Sequence, residues 1–575
     1  MKRSYLLLLG LLFNVALFAQ EKIYIHKTDK ISLGALLLKT DSIYFSTDGS
    51  KAFFRINGQL NEYAVNQLDS LSFGSNSNTI TVIYNGSTVS VINPLAFEGV
   101  SVTVNGADVT VNSTSADTEI GYSLKGTSTD GQFKIYSASK FNLKLNGVNL
   151  TNTDGAAINI QSKKKCNITL EAGTTNTLAD GSTYATTTED QKATIFSEGQ
   201  LDFDGTGSLS IKSNSTHAIC SDDYIHVQSG NITVTAATKD GIHANDYFQI
   251  SGGTLIVTST GDGVECESGY ILISGGNLTS VNNSADAKGL VCDSTLTISG
   301  GTIKLTLGGN QSKGIKATQK MVFSGGDINI TNSGGVLLVT SGSGFDPAYS
   351  SGIKGDAEVE LSGSNITIVC SGAGGKGISS TGNLSITNGI VNVTTSGAGA
   401  TYKNSTGTTD SYSAVCCNSD VNLSITGGTV SGTSSGSGGK GLKANGTINI
   451  GTGTSSPKVT LTTSGAKFVV SGSDYNHPKT MVSDGTITIK NGTINISSTD
   501  DAIHSETSIV VDGGTTTVSK STEGVESKYI YINGGYVDVT SSNDGINATM
   551  GTQTGGTEMN DGSCLYVKGG TLVVN

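Results

Sequence analysis

The chain has 575 residues, a net charge of −12, 77 glycines, 4 prolines and no tryptophan. The acidic balance argues against a nucleic-acid partner, which would need clustered cations for phosphate. Scarce proline beside abundant Gly, Ser, Thr, Val and Ile points to many short strands and tight turns, not to a disordered linker protein.

In chain order, Lys2 and Arg3 precede a mainly apolar run from Leu6 to Phe18, and Ala16-Leu17-Phe18-Ala19 supplies small residues for cleavage before Gln20. This predicts a secretory signal peptide over 1–19 and an exported, secreted or surface-attached protein. No cysteine follows the run to carry a lipid, and no later stretch approaches the ~20 apolar residues of a membrane span. Residues 20–75 read as a small β module with an internal duplication, since Asp41-Ser42-Ile43-Tyr44-Phe45 returns as Asp69-Ser70-Leu71-Ser72-Phe73. Residues 76–150 alternate apolar and polar, as in Val100–Val104 and Phe141–Leu145, and form the opening strands of the main body.

From about 150 a five-residue phrase governs the chain: acid or Lys, Gly, aliphatic, any residue, small. It stands at Asp240–Ala244, Asp262–Cys266, Lys288–Cys292, Lys313–Ala317, Lys376–Ser380, Lys440–Ala444, Glu523–Ser527 and Asp544–Ala548. Looser copies occupy His217–Ser221, Ser351–Gly355, Ser413–Cys417 and Asp501–Ser505. Ser-Gly-Gly-Thr or a relative lies between many of them. Most steps are about 22 to 27 residues, enough for three short strands and three turns, and too short for a WD-type blade. Two longer steps mark inserted loops at 335–349 and 397–412. No segment keeps a 3.6-residue period, so helix should be nearly absent. The expected fold is all-β: a right-handed parallel β-helix, or solenoid, over 151–575, its hand following from the usual rule for parallel crossovers. The last residues end partway through a repeat, which suggests that the β-helix is truncated at its C-terminus. Cys266, Cys292 and Cys417 fall in the small, inward slot of the phrase and are expected to be buried free thiols.

The run Asp154–Ser162, then Gly173–Gly181 and Gly205–Ile211, with the Asp-Gly-Ile and Ser-Gly-Gly-Thr repeats, resembles secreted bacterial carbohydrate-binding β-helices, remote relatives of pectate-lyase-type polysaccharide lyases. The resemblance covers roughly 80–575 and leaves out the N-terminal module. It implies a calcium-containing β-helix that binds plant-type or acidic polysaccharides, without established catalysis.

Three columns of the repeat could carry chemistry. Asp240 and Asp262, and Asp501, Glu523 and Asp544, place like charges on neighbouring repeats, where calcium between them would relieve the repulsion; Asp-Gly is equally good turn chemistry. Lys288, Lys313, Lys376 and Lys440 could meet the carboxylates of an acidic glycan, supply a lyase base, or form a solvated edge. Tyr224, Tyr247 and Tyr270 recur at one outward position and could hold sugar rings or simply stack on each other. No Ser-His-Asp set can be argued from spacing. The residues therefore support a carbohydrate-binding protein that holds a polysaccharide through Tyr224, Tyr247, Tyr270, Lys288 and Lys313, with calcium as cofactor. A calcium-dependent polysaccharide lyase and a structural or adhesive surface β-helix are the alternatives.

Overall fold

The structure is a computed structural model that describes residues 21–117, 120–551 and 560–575. The expected signal peptide lies outside the described residues. Strands account for 60% of the chain, and among the described residues the only helical turns are two 3-10 turns, Leu37–Lys39 and Val65–Gln67. The fold is all-β. It divides into two compact units, up to Thr238 and from Lys239 onward.

In the first unit the strand Lys22–Lys27 pairs antiparallel with Ile31–Leu36 and with Leu68–Gly74. Thr40–Phe45, Lys51–Ile56 and Gln59–Ala64 form a second antiparallel sheet. Ile23, Ile25, Ala35, Ala52, Phe54 and Ile56 are its common core. Ile31–Leu36 also pairs in parallel with Thr88–Asn93, and buried Lys22 donates to Pro94 O at 2.6 Å and meets Glu98 at 3.1 Å, so the leading module is bonded directly to the strands that follow it. Parallel pairing between repeats begins before residue 150. Gly121–Ser128 pairs with Thr79–Asn85 and with Phe141–Asn152, and Val109 faces Phe133.

In the second unit each strand outside the inserted hairpins pairs in parallel with its counterpart one repeat later, so that three ladders run through the repeats. One ladder holds the phrase: Ile242–Ala244, Val264–Cys266, Lys288–Cys292, Lys313–Ala317, Ser351–Gly355 and Lys376–Ser380 pair in sequence. Period-two alternation puts the aliphatic and small slots inside, where Ile242, Val264, Leu290, Ile315, Ala244, Cys266, Cys292 and Ala317 are all buried. The small slot is often serine because its hydroxyl finds a carbonyl on an adjoining turn: Ser380 Oγ donates to Ala357 O at 2.7 Å and Ser419 Oγ to Gly382 O at 2.8 Å. A hydroxyl so paired is tolerated in a core.

The glycine of the phrase has a steric cause. A Cβ on Gly289 would lie 2.6 Å from Gly314 O, and one on Gly352 would lie 2.7 Å from Gly377 O. At Gly289 and Gly352 the neighbouring repeat therefore approaches too closely for a side chain. The second glycine of Ser-Gly-Gly-Thr has positive φ, as at Gly253 (φ 73) and Gly276 (φ 75), a conformation that glycine adopts without steric cost.

One sequence expectation needs correction. Register pairs Lys376 with Val415 and Ile378 with Cys417, so Val415 occupies the first slot, Cys417 the aliphatic slot and Ser419 the small slot. The copy at Ser413–Cys417 was displaced by two residues because Val415 imitates the aliphatic position. Between Lys440–Ala444 and Asp501–Ser505 the ladder holds one further strand, Lys479–Ser483, with Met481 in the aliphatic slot. The inserted loops are antiparallel hairpins, Leu337–Ser341 with Gly344–Ala348 and Ala400–Lys403 with Thr409–Tyr412. A third, Phe468–Ser471 with Asp474–Asn476, was not visible in the spacing. All eight cysteines are free and seven are buried.

Candidate functional site

Tyr247 and Tyr270 are register partners on adjoining strands. Alternation buries Phe248, Ile250, Ile271 and Ile273 and turns both tyrosines outward. Their ring centroids lie 4.9 Å apart with 8° between the planes, the separation that strand spacing imposes. Tyr270 is 38% exposed, so part of its side chain is open to a ligand. The pair is a stacked aromatic step in the second unit. Tyr224 opens the strand Tyr224–Val227 of the first unit and is half-buried, with Ile225 and Val227 inside.

Two sets of carboxylates occupy the first and fourth slots of the phrase. In the first, ligand atoms of Asp240, Asp262 and Glu265 lie within 4.8 Å of one another. Each aspartate also ties consecutive repeats together. The Asp262 N–H donates to Asp240 Oδ1 at 2.6 Å, and the Lys288 N–H donates to Asp262 Oδ1 at 2.6 Å. His243 stands among the acids, its Nδ1 3.1 Å from Glu265 Oε2 and 3.4 Å from Asp240 Oδ2. Burial pushes the Asp262 carboxyl up to about 7, helped by the Asp240 and Glu265 charges and opposed by Lys288. Burial disfavours charge on His243, but hydrogen bonds to Asp240 and Glu265 and their charges prevail and hold it at about 9.

The second set repeats the first in sequence and in space. Asp240-x-Ile-His243 followed by Asp262-Gly-Val-Glu265 returns as Asp501-x-Ile-His504 followed by Glu523-Gly-Val-Glu526. Asp501, His504 and Glu526 form a ligand set, and so do His477, Asp500 and Asp501. His504 Nδ1 lies 3.3 Å from Glu526 Oε2, and Lys479 Nζ lies 2.6 Å from Asp501 Oδ2. Glu523 and Glu526 share the space and their acidities separate. Burial and the Glu526 neighbour raise Glu523, while His504 outweighs burial and lowers Glu526. Asp544 is exposed and belongs to neither ligand set among the described residues. Sequence spacing found the first-slot acids and missed Glu265, Glu526, His477 and Asp500. The fourth-slot pairing of His with Glu one repeat later was the signal available for Glu265 and Glu526.

These donor sets suit a cation in part. Clustered carboxylate oxygens, with Asp262 inclined by burial to keep its proton, are what a hard cation such as calcium replaces a proton to bind. The imidazole in each set is a poor calcium ligand and a good partner for carboxylate when protonated. Asp240, Asp262 and Glu265 are the residues that would hold the ion at the first site, and Asp501 and Glu526 at the second.

The lysines of the first slot are largely engaged within the fold. Lys288 and Lys313 stand on adjoining strands and share Asp286 Oδ1, at 3.4 Å and 3.2 Å, and Lys313 Nζ also donates to Gln311 O at 2.6 Å. Lys376 Nζ sits 3.8 Å above the Tyr349 ring. Lys440 Nζ donates to Gly438 O at 2.7 Å, to Asn476 Oδ1 at 2.8 Å and to His477 O. Burial, reinforced by neighbouring lysines, lowers Lys376 to about 8 and Lys440 to about 7.

Comparison with known proteins bears on this arrangement. The sequence profile of the family described as carbohydrate-binding domain-containing proteins matches residues 105–374 and 455–572. A protein of that description from Acetivibrio thermocellus is 36% identical over 118 residues, 20% of this chain and 41% of the relative; the match thus spans less than half of that protein's length. A solved structure described as a polysaccharide lyase-like protein from C. thermocellum, a gadolinium derivative, shares 26% identity. It covers 42% of this chain and 94% of its own, with a TM-score of 0.36. Since the family profile matches well over half of its length, the chain belongs to the carbohydrate-binding domain-containing family.

Proposed function

We propose that this protein is exported and holds a polysaccharide, acidic or plant-type, against the outward tyrosines of a right-handed parallel β-helix, with calcium as a structural or bridging ion. The observation that carries the reading is the stacked, partly exposed Tyr247–Tyr270 pair in a chain of a carbohydrate-binding family. Aromatic faces pack on the apolar faces of sugar rings. Repeats spaced at about 4.8 Å offer the same side chain again and again to an extended glycan, so weak contacts add to useful avidity. Three ladders of parallel strands support the solenoid reading, and the general rule for parallel crossovers gives its hand. The basic, then apolar, then small-residue order of Lys2 to Ala19 supports export.

Calcium would sit among Asp240, Asp262 and Glu265, where burial otherwise favours a proton on Asp262. A lyase would need a lysine whose Nζ reaches a substrate carbon beside a metal-bound carboxylate. Lys376 and Lys440 instead direct Nζ at a ring and at carbonyls, which favours binding over lysis. A glycan array run with and without a chelator tests the reading. Retention of acidic polysaccharides that is lost on chelation is expected, and absence of binding to any glycan refutes it. New ultraviolet absorbance from unsaturated uronides would instead establish lysis.

A further inference from the structure

A second aromatic step lies far along the chain from Tyr247, and neither the repeat columns nor the family profile singles it out. Tyr531 and Tyr566 are register partners with ring centroids 4.9 Å apart and 6° between their planes. Tyr529 stands two residues before Tyr531 on the same face. Its counterpart on the preceding repeat is Ser508, so one side of the Tyr529 ring meets a small hydroxyl side chain where another ring could have stood. The register between Ser505 and Ser508 is also broken, with Glu506 and Thr507 set against Lys528 alone. A bulge of this kind re-aims side chains and parts the ladder locally. The result is an open groove of about 380 Å³ lined by Glu506, Thr507, Ser508, Lys528, Tyr529 and Tyr531.

Two ammonium groups border these rings. Lys528 Nζ lies 5.3 Å from the Tyr529 centroid, and Lys568 Nζ lies 5.5 Å from Tyr531 and 5.9 Å from Tyr566. Neither forms an ion pair among the described residues, in contrast to Lys288 and Lys313, which share Asp286. Cation–π contact with a partly exposed ring is worth only ~0.5–1 kcal/mol, so these charges remain available to a partner. The one carboxylate on the groove wall, Glu506, is paired with His504 Nε2 at 3.0 Å.

We infer that the Tyr529–Tyr531–Tyr566 face is a second glycan subsite, selective for sugars that carry carboxylates. A sugar ring would lie in the groove against Tyr529, with its hydroxyls on Ser508 and Thr507. The next ring would follow the Tyr531–Tyr566 step, and uronate carboxylates would meet Lys528 and Lys568. This deepens the proposed function and rests on the same carbohydrate-binding reading.

The test is calorimetric titration of the full chain with a defined oligogalacturonide and with a neutral oligosaccharide of equal length. The variants are Tyr529→Ala with Tyr531→Ala, Tyr247→Ala with Tyr270→Ala, and Lys528→Gln with Lys568→Gln. The subsite predicts that the 529/531 pair removes one class of site, or weakens oligogalacturonide binding at least 10-fold, and that the 247/270 pair leaves that class intact. The lysine pair, which removes both charges and leaves the rings in place, should cause a similar loss for the charged ligand alone. Wild-type binding unchanged by both the 529/531 and the 528/568 variants overturns the subsite and leaves the Tyr247–Tyr270 reading standing. Binding that survives the 247/270 change in full and vanishes with the 529/531 change supports the subsite and overturns the other face. A neutral ligand bound as well as the charged one overturns the uronate selectivity. No binding of either sugar by the wild type overturns both.

Discussion

Raising the pH should loosen the repeats around Asp262, and calcium should restore them. The Asp262 carboxyl titrates at about 7 in the folded chain, against an ordinary value of ~4 for an unfolded aspartate. A raised acid stabilises the fold in its protonated form. That contribution is complete below the unfolded value and disappears as pH rises through the folded one. Between pH 5.5 and pH 8 the folded chain alone loses this proton, at a cost of about 2 kcal/mol. His243, held at about 9, acts in the same direction, because an imidazole raised above ~6.5 in the fold loses its stabilising charge as pH climbs towards 9. In a stack of repeats the loss is local, since stability is set by nearest neighbours. The assay is therefore hydrogen exchange, corrected for intrinsic rates, in Ile242–Ala244, Val264–Cys266 and Lys288–Cys292. Exchange there should quicken roughly 30-fold between the two pH values from Asp262 alone, and further from His243, and saturating calcium at pH 8 should slow it again. Asp262→Asn should remove about half of the response and leave the part that His243 carries. Equal protection at both pH values, or a pH dependence undiminished in Asp262→Asn, would refute the reasoning; a calcium effect that is missing would remove the metal from the proposal.

Tyr247→Ala with Tyr270→Ala should reduce polysaccharide binding sharply in a pull-down assay. A double-mutant cycle by chemical denaturation should give the stacked pair a coupling of only ~0.5–1.5 kcal/mol. Gly289→Ala forces a Cβ to 2.6 Å from Gly314 O and should destabilise the adjoining repeats by ~1–3 kcal/mol, read as faster exchange in Lys313–Ala317, whereas Ala502→Gly in the corresponding slot should be mild. Thiol titration of the native protein should find Cys564 reactive and the seven buried cysteines protected until denaturant is added.

Much of this was legible from the residues alone, because a repeated phrase multiplies one local rule many times over. Alternation fixed which slots face inward, since a one-residue slip would turn the whole apolar set outward. The same rule put Tyr247 and Tyr270 outside and on one line. Where the rule was weak the reading slipped, as at Val415, where an aliphatic residue in a charged slot imitated its neighbour and only the register with Lys376 resolved it. Other features depend on contacts between residues far apart in sequence. The Cβ space missing at Gly289 is set by a carbonyl 25 positions away. Asp240 and Asp262 could be aligned by period, but whether Glu265 and His243 close on them depends on side-chain directions that the period does not encode. The lysine column looked like an open cationic edge, and tertiary structure gave it Asp286, the Tyr349 ring and the carbonyls beside the third hairpin as partners. The pairing of Tyr531 with Tyr566 crosses 35 residues and an irregular step, and the groove beside Tyr529 exists because a bulge at Glu506 and Thr507 parts the strands. Sequence period determined the faces of the strands; the register between repeats decided which side chains meet, because that distance is crossed only when the chain stacks.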